Sequence, residues 1–135
     1  MTGYSGTPLV QKLGIKKGAS IYVKNEPAEY ETIVENLPTD VIFHTRLKKG
    51  VEFVHIFTKS STELETFLKK VRAALNPDGM IWVSWPKKAS KVPTDIVEDT
   101  IRNICLPLDL VDVKVCAVNE VWSGLKLVIR KEKRK

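Results

Sequence analysis

Two runs, Val51–Phe57 and Met80–Trp85, constrain the fold more than anything else in this sequence, because each is apolar on both faces. In the first, Val51, Phe53 and Phe57 fall on one side of a strand, and Val54 and Ile56 on the other. A strand half-exposed to water alternates polar and apolar residues. One that does not alternate needs cover on both sides, which is the setting of a parallel sheet flanked by helices.

The stretches between such runs read as that cover. Pro27 opens a helical pattern through Tyr30, Ile33, Val34 and Leu37 that Pro38 ends. Ser60 and Glu63 have capping-box spacing, and Leu64, Phe67, Leu68, Val71 and Leu75 follow at helical period. A third helix is predicted from Asp95 through Val97, Ile101 and Ile104 to Cys105. Shorter signals complete the order. A first helix carries Leu9, Val10 and Leu13, with Pro8 in its first turn, Ser5 or Thr7 as cap, and Gly14 as stop. Ile21–Val23 and Val41–Phe43 read as strands, and Asn76-Pro77-Asp78-Gly79 as a turn. Val111–Val118 and Trp122–Arg130 read as strands joined by Asn119-Glu120-Val121, hence an antiparallel hairpin. Residues 1–135 are expected to form one three-layer α/β domain with a mostly parallel sheet and an antiparallel C-terminal end.

A net charge of +6 raises the question of nucleic acid. The charge sits at the ends. Lys12, Lys16, Lys17 and Lys24 stand in residues 1–24 with no acid, and residues 130–135 hold five bases beside Glu132, a basic C-terminal tail. The body between is slightly acidic, and no aromatics interleave with either end cluster as stacking platforms would. Weak, salt-sensitive attraction to nucleic acid is the most these ends suggest. With 43% hydrophobic and 28% charged residues the chain is too apolar for intrinsic disorder. It lacks the run of about 20 apolar residues that spans a bilayer, and residues 1–20 lack a signal-type apolar segment. A cytoplasmic location with no membrane partner is expected, with Cys105 and Cys116 as reduced thiols.

The second half of the chain resembles the C-terminal half of a class I methyltransferase-type Rossmann fold. The residues that carry this are the helix ending in Ala74-Leu75-Asn76-Pro77-Asp78-Gly79, the strand Met80-Ile81-Trp82-Val83-Ser84-Trp85 and the closing hairpin. The whole chain is also similar to a family of small uncharacterised bacterial proteins, a domain of unknown function, through Gly3-Tyr4-Ser5-Gly6-Thr7-Pro8-Leu9, Trp82-Val83-Ser84-Trp85-Pro86-Lys87-Lys88, and Val115–Val118 leading to Val121–Lys126. That likeness implies the fold and no reaction.

Two departures from the methyltransferase pattern stand out. Such folds hold S-adenosylmethionine with a glycine-rich loop after the first strand and an acidic residue at the end of the second. Here the first strand runs into Lys24-Asn25-Glu26-Pro27-Ala28-Glu29, without glycine, and the second ends in His44-Thr45-Arg46, without an acid. No cofactor is therefore expected. In addition, Thr45–Gly50 is too short for a crossover helix. Either one β-α unit is missing and the chain crosses in extended form, with strand order near 2-1-3-4-6-5, or strands two and three form a hairpin.

Candidate binding residues lie at the carboxyl ends of the strands, where ligands of open α/β sheets bind. Ser84, Lys87, Lys88 and Lys91 precede a helix and suit an anion such as phosphate. Trp122 and Lys126 lie on the hairpin, where the resemblance places substrates, and Tyr4 is a candidate lid. Gly124 within a strand suggests a bulge or a close backbone approach. Asp95, Glu98 and Asp99 suit a helix N-terminus. His44, His55 and Cys116 match no standard zinc spacing, so no metal is expected, and no catalytic residue stands out. The expectation is a non-catalytic binding or regulatory domain for an anionic ligand or a protein partner, with self-association open to so small a sheet. Its alternative is an enzyme acting on a nucleotide or phosphorylated metabolite.

Overall fold

Ser60 starts the longest helix as its spacing predicts. Its hydroxyl accepts from the Glu63 N–H at 3.3 Å, and Leu64, Phe67, Leu68 and Val71 of α3 (Ser61–Ala74) are buried along one stripe. Only half of the capping box forms. The Ser60 N–H goes to Thr58 Oγ1, and Glu63 Oε1 accepts from Thr58 Oγ1 and Asn25 Nδ2. The structure is a computed structural model that describes residues 8–28, 30–34 and 37–134, and for Glu31 the backbone only.

The strands are β1 (Ser20–Lys24), β2 (Ile42–Phe43), β3 (Val51–Phe57), β4 (Leu75–Pro86), β5 (Leu110–Ala117) and β6 (Trp122–Ile129). They form one sheet in the order β2-β1-β3-β4-β6-β5. The pairs β1–β2, β1–β3 and β3–β4 are parallel, while β4–β6 and β5–β6 are antiparallel. The hairpin alternative for strands two and three is thereby excluded, because β1 lies between them. Residues 44–50 make the crossing without a helix, and Leu47 packs into the core on the α3 side.

The double apolarity of β3 and β4 divides between two cores. Val54, Ile56, Ile81, Val83 and Trp85 pack under α3 and α4 (Glu98–Cys105). Phe53, Phe57 and Trp82 pack under α1 (Leu9–Leu13) and α2 (Tyr30–Ile33). Trp82 ties α1 down by donating from Nε1 to the Leu13 carbonyl at 2.8 Å. No helix among the described residues is long and apolar enough to cross a membrane.

Two local expectations shift, and a third is resolved between its two alternatives. The Asn76–Gly79 turn is a bulge inside β4, because the register steps from Val51↔Leu75 to Phe53↔Met80. Asn76 Oδ1 accepts from the Asp78 N–H there, at 2.9 Å. The helix predicted from Asp95, α4, begins at Glu98. Asp95 instead accepts from the backbone and hydroxyl of Ser61 (2.8 and 2.7 Å), bracing the start of α3, and Glu98 and Asp99 bind Arg102. Gly124 keeps regular register and is a close approach: a Cβ there would lie 3.2 Å from both Trp82 Cε3 and Val118 Cγ2. Because Trp82 is anchored at its far end, G124A is expected to cost about 1–3 kcal/mol, read as a lower urea midpoint at unchanged slope. An unaltered midpoint would show that the indole has room to shift.

Candidate functional site

The carboxyl ends of β1 and β2 frame a cleft of about 480 Å³, within the size range of small-molecule sites. Tyr22, Lys24, Asn25, Glu26, Tyr30, Phe43, His44 and Thr45 line most of it. Asn25 ends β1 with φ +59°, the left-handed conformation that glycine usually supplies. Its side chain turns toward β3, where Nδ2 donates to the Phe57 carbonyl at 3.0 Å and to Glu63 Oε1 at 3.3 Å. Phe43 is 40% exposed, an unusual state for an aromatic at the end of a strand. His44 is held back by Ser20, with Nε2 2.7 Å from the hydroxyl.

Beneath the cleft runs a chain of buried polar groups. The Tyr30 hydroxyl lies 2.9 Å from His55 Nδ1, and His55 Nε2 lies 2.8 Å from Ser84 Oγ. His55 and Ser84 are fully buried, and the imidazole stacks on Phe57 at a centroid distance of 4.3 Å. Burial favours the uncharged ring and pulls the His55 pKa down to about 3. Burial, and then the nearby Glu26 carboxylate, pushes the Tyr30 phenol upward. The chain is therefore neutral at physiological pH. It fixes Tyr30, and with it α2, against the sheet.

The residues singled out from the sequence do not converge on this cleft. Ser84 is buried, its hydroxyl committed to His55, so it faces the core and not a ligand. Strand parity explains this: Ser84 shares the face of Trp82, under α1 and α2. Lys87 is half-buried at the end of β4, its N–H bonded to the Val121 carbonyl at 2.7 Å. Lys88 and Lys91 are exposed on the loop that follows. Trp122 sets its edge against Phe57, with centroids 5.1 Å apart. Lys126 stands opposite Lys114, and burial, then Lys114 and Lys16, lower its pKa. Tyr4 and the proposed Ser5 or Thr7 cap lie outside the described residues. Cys105 is buried and Cys116 half-buried, both free thiols whose pKa burial raises. Among the described residues no group of three His, Cys, Asp or Glu could hold a metal.

Sequence reasoning passed over Asn25, Phe43, Tyr30 and His55 as a group. One signal was present: asparagine is the residue after glycine that most readily adopts the left-handed conformation, and Asn25 follows the first strand directly.

No family model and no curated protein matches the chain. Its fold matches solved structures. A Sulfolobus solfataricus protein classed as a type 11 methyltransferase superposes with a TM-score of 0.64 at 12% identity, covering 95% of this chain and 92% of that one. A SAM-dependent methyltransferase from Aquifex aeolicus gives 0.59 at 12% identity, covering 90% and 88%. Magnesium protoporphyrin IX methyltransferase from Synechocystis, solved with bound SAH, gives 0.57 at 10% identity, covering 90% and 78%. Identities this low bear on fold, and the fold is methyltransferase-like.

These matches correct the expected function. The expectation of a non-catalytic binding domain, and its alternative of an enzyme acting on a nucleotide or phosphorylated metabolite, find no support among them; the neighbours include methyltransferases, one solved with bound SAH. The loop after β1 lacks glycine, yet Asn25 takes up a left-handed conformation there. The cleft also suits a nucleoside-bearing ligand on other counts. It has the volume, the exposed Phe43 ring offers a face for a base, and Glu26 brings a carboxylate that the end of β2 lacks.

Proposed function

We propose that the chain binds S-adenosylmethionine in the cleft at the ends of β1 and β2 and transfers its methyl group. What carries the reading is Asn25 in the left-handed conformation at the end of the first strand, beside an open cleft, in a sheet of methyltransferase order. When bound, that cofactor supplies an electrophilic methyl group on a sulfonium. The chain's part is to hold and orient it. Phe43 would cover the base, Glu26 would accept from hydroxyl or ammonium groups, and the Asn25 turn would bring backbone close to the ligand. Tyr30, fixed through His55, keeps α2 in place as the cleft wall without adding charge. A reducing cytoplasm fits the two free thiols and belongs to the same proposal.

Thermal unfolding with S-adenosylmethionine or S-adenosylhomocysteine at about 1 mM tests the reading. A ligand at about 100 times its dissociation constant adds about 2.7 kcal/mol, which should raise Tm by about 10 °C in a domain of this size. F43A is expected to lose most of that shift while keeping its own fold. A wild-type Tm that neither ligand moves, with no heat on calorimetric titration, would overturn the assignment.

A further inference from the structure

Asn25 does what a glycine at its position would do and one thing more. Its backbone makes the turn, and its side chain spans the gap between the ends of β1 and β3. That gap is the topological switch point of the sheet: the chain leaves β1 toward β2 on one side, while β3 and β4 build outward on the other. The cleft lies on the β2 side of Asn25, and the bonds to Phe57 and Glu63 lie on the β3 side. A ligand longer than a nucleoside, seated in the cleft and extended toward β3 and β4, must pass over this bridge.

The bridge is braced from below. Glu63 Oε1, which accepts from Asn25, is also bonded to Thr58 Oγ1, and the Thr58 N–H donates to the Ser84 carbonyl at 3.1 Å. The side chain is thus held across the crevice by the ends of β3, α3 and β4 together.

We infer that the Asn25 side chain bars the switch-point crevice, so that a ligand extending across it must release the bonds to Phe57 and Glu63. The inference rests on the cofactor reading above. Two variants separate it from a structural role. N25G keeps the left-handed turn without strain and removes the bridge. N25D keeps the size and tolerates the same backbone, but its carboxylate cannot donate to the Phe57 carbonyl and is repelled by Glu63.

Calorimetric titration with S-adenosylhomocysteine, done well below each Tm, is expected to show N25G binding about tenfold more tightly than wild type, with N25D between them. That factor corresponds to losing two modest hydrogen bonds. The ligand-free Tm of both variants should fall slightly. Tighter binding with a lower Tm is a combination that a merely structural role does not produce, because loosened structure weakens both. An N25G affinity equal to or below that of wild type overturns the inference and leaves the cofactor reading standing. A wild-type chain that gives no heat removes the cofactor reading, and this inference with it.

Discussion

Lowering the pH from 7 to 5 is expected to remove about 2 kcal/mol of stability through one side chain, His55. In the unfolded chain this imidazole takes up a proton near its ordinary pKa of 6.5. In the folded protein burial holds the value near 3. Between those limits the unfolded state binds one more proton than the native state, so stability falls as pH falls, by about 1.4 kcal/mol per unit. The contribution is fully present above pH 6.5 and is lost on the way to pH 3. Asp95, Asp112 and Glu132 also have depressed pKa values, through bonds to Ser61, to Arg102, and to backbone beside Arg130 respectively. Their unfolded values, 3.8 for the aspartates and 4.5 for Glu132, place nearly all of their losses below about pH 5. The window from 5 to 7 therefore isolates His55.

Urea titrations across that window check this. Wild type should show the slope. H55L should not, although it starts about 3 kcal/mol lower at pH 7, because the Tyr30 and Ser84 hydroxyls lose their partner. The triple variant Y30F/H55L/S84A should recover much of that loss and stay flat with pH, since no buried polar group is then left alone. Parallel slopes for wild type and H55L would sink the assignment to His55.

W82A is the second large effect, with an expected loss of at least 3–5 kcal/mol. Trp82 is fully buried and ranks first by volume among the fully buried side chains of the described residues. It also gives the Leu13 carbonyl its hydrogen bond and so fastens α1 over the sheet. A loss of that size approaches the whole stability of a typical domain. W82F is the graded control. It keeps most of the apolar area but abandons the Leu13 carbonyl, for about 1–3 kcal/mol. Proteolysis near α1 should speed up in W82F more than in G124A, because only the former releases the helix. A W82F midpoint within error of wild type would show that α1 is held by its apolar contacts alone.

Most of the architecture was legible in the residues. The doubly apolar runs placed β3 and β4 in the middle of a parallel sheet. The short Thr45–Gly50 link left two arrangements open, and the structure takes the one with an extended crossing and the order 2-1-3-4-6-5. The site was much less legible. His55 was weighed only as a metal ligand and set aside, because its partners stand 25 and 29 residues away in sequence and only strand pairing brings them together. Ser84 looked like a site residue because it ends a strand. Its parity, on the same face as Trp82, already marked it as core.

What the sequence determined by itself is what depends on near neighbours: which segments are helix or strand, which faces are apolar, and where caps and turns fall. Those follow from periodicity and local hydrogen bonding, which act over a few residues. What only the tertiary structure decided is the use of positions that local rules leave open. Asn25 took the left-handed turn because Phe57 and Glu63 reward its side chain for being there. His55 stayed uncharged because helix and sheet closed over it. Backbone conformation at a permissive residue and protonation of a buried one are both set by surroundings assembled from distant parts of the chain.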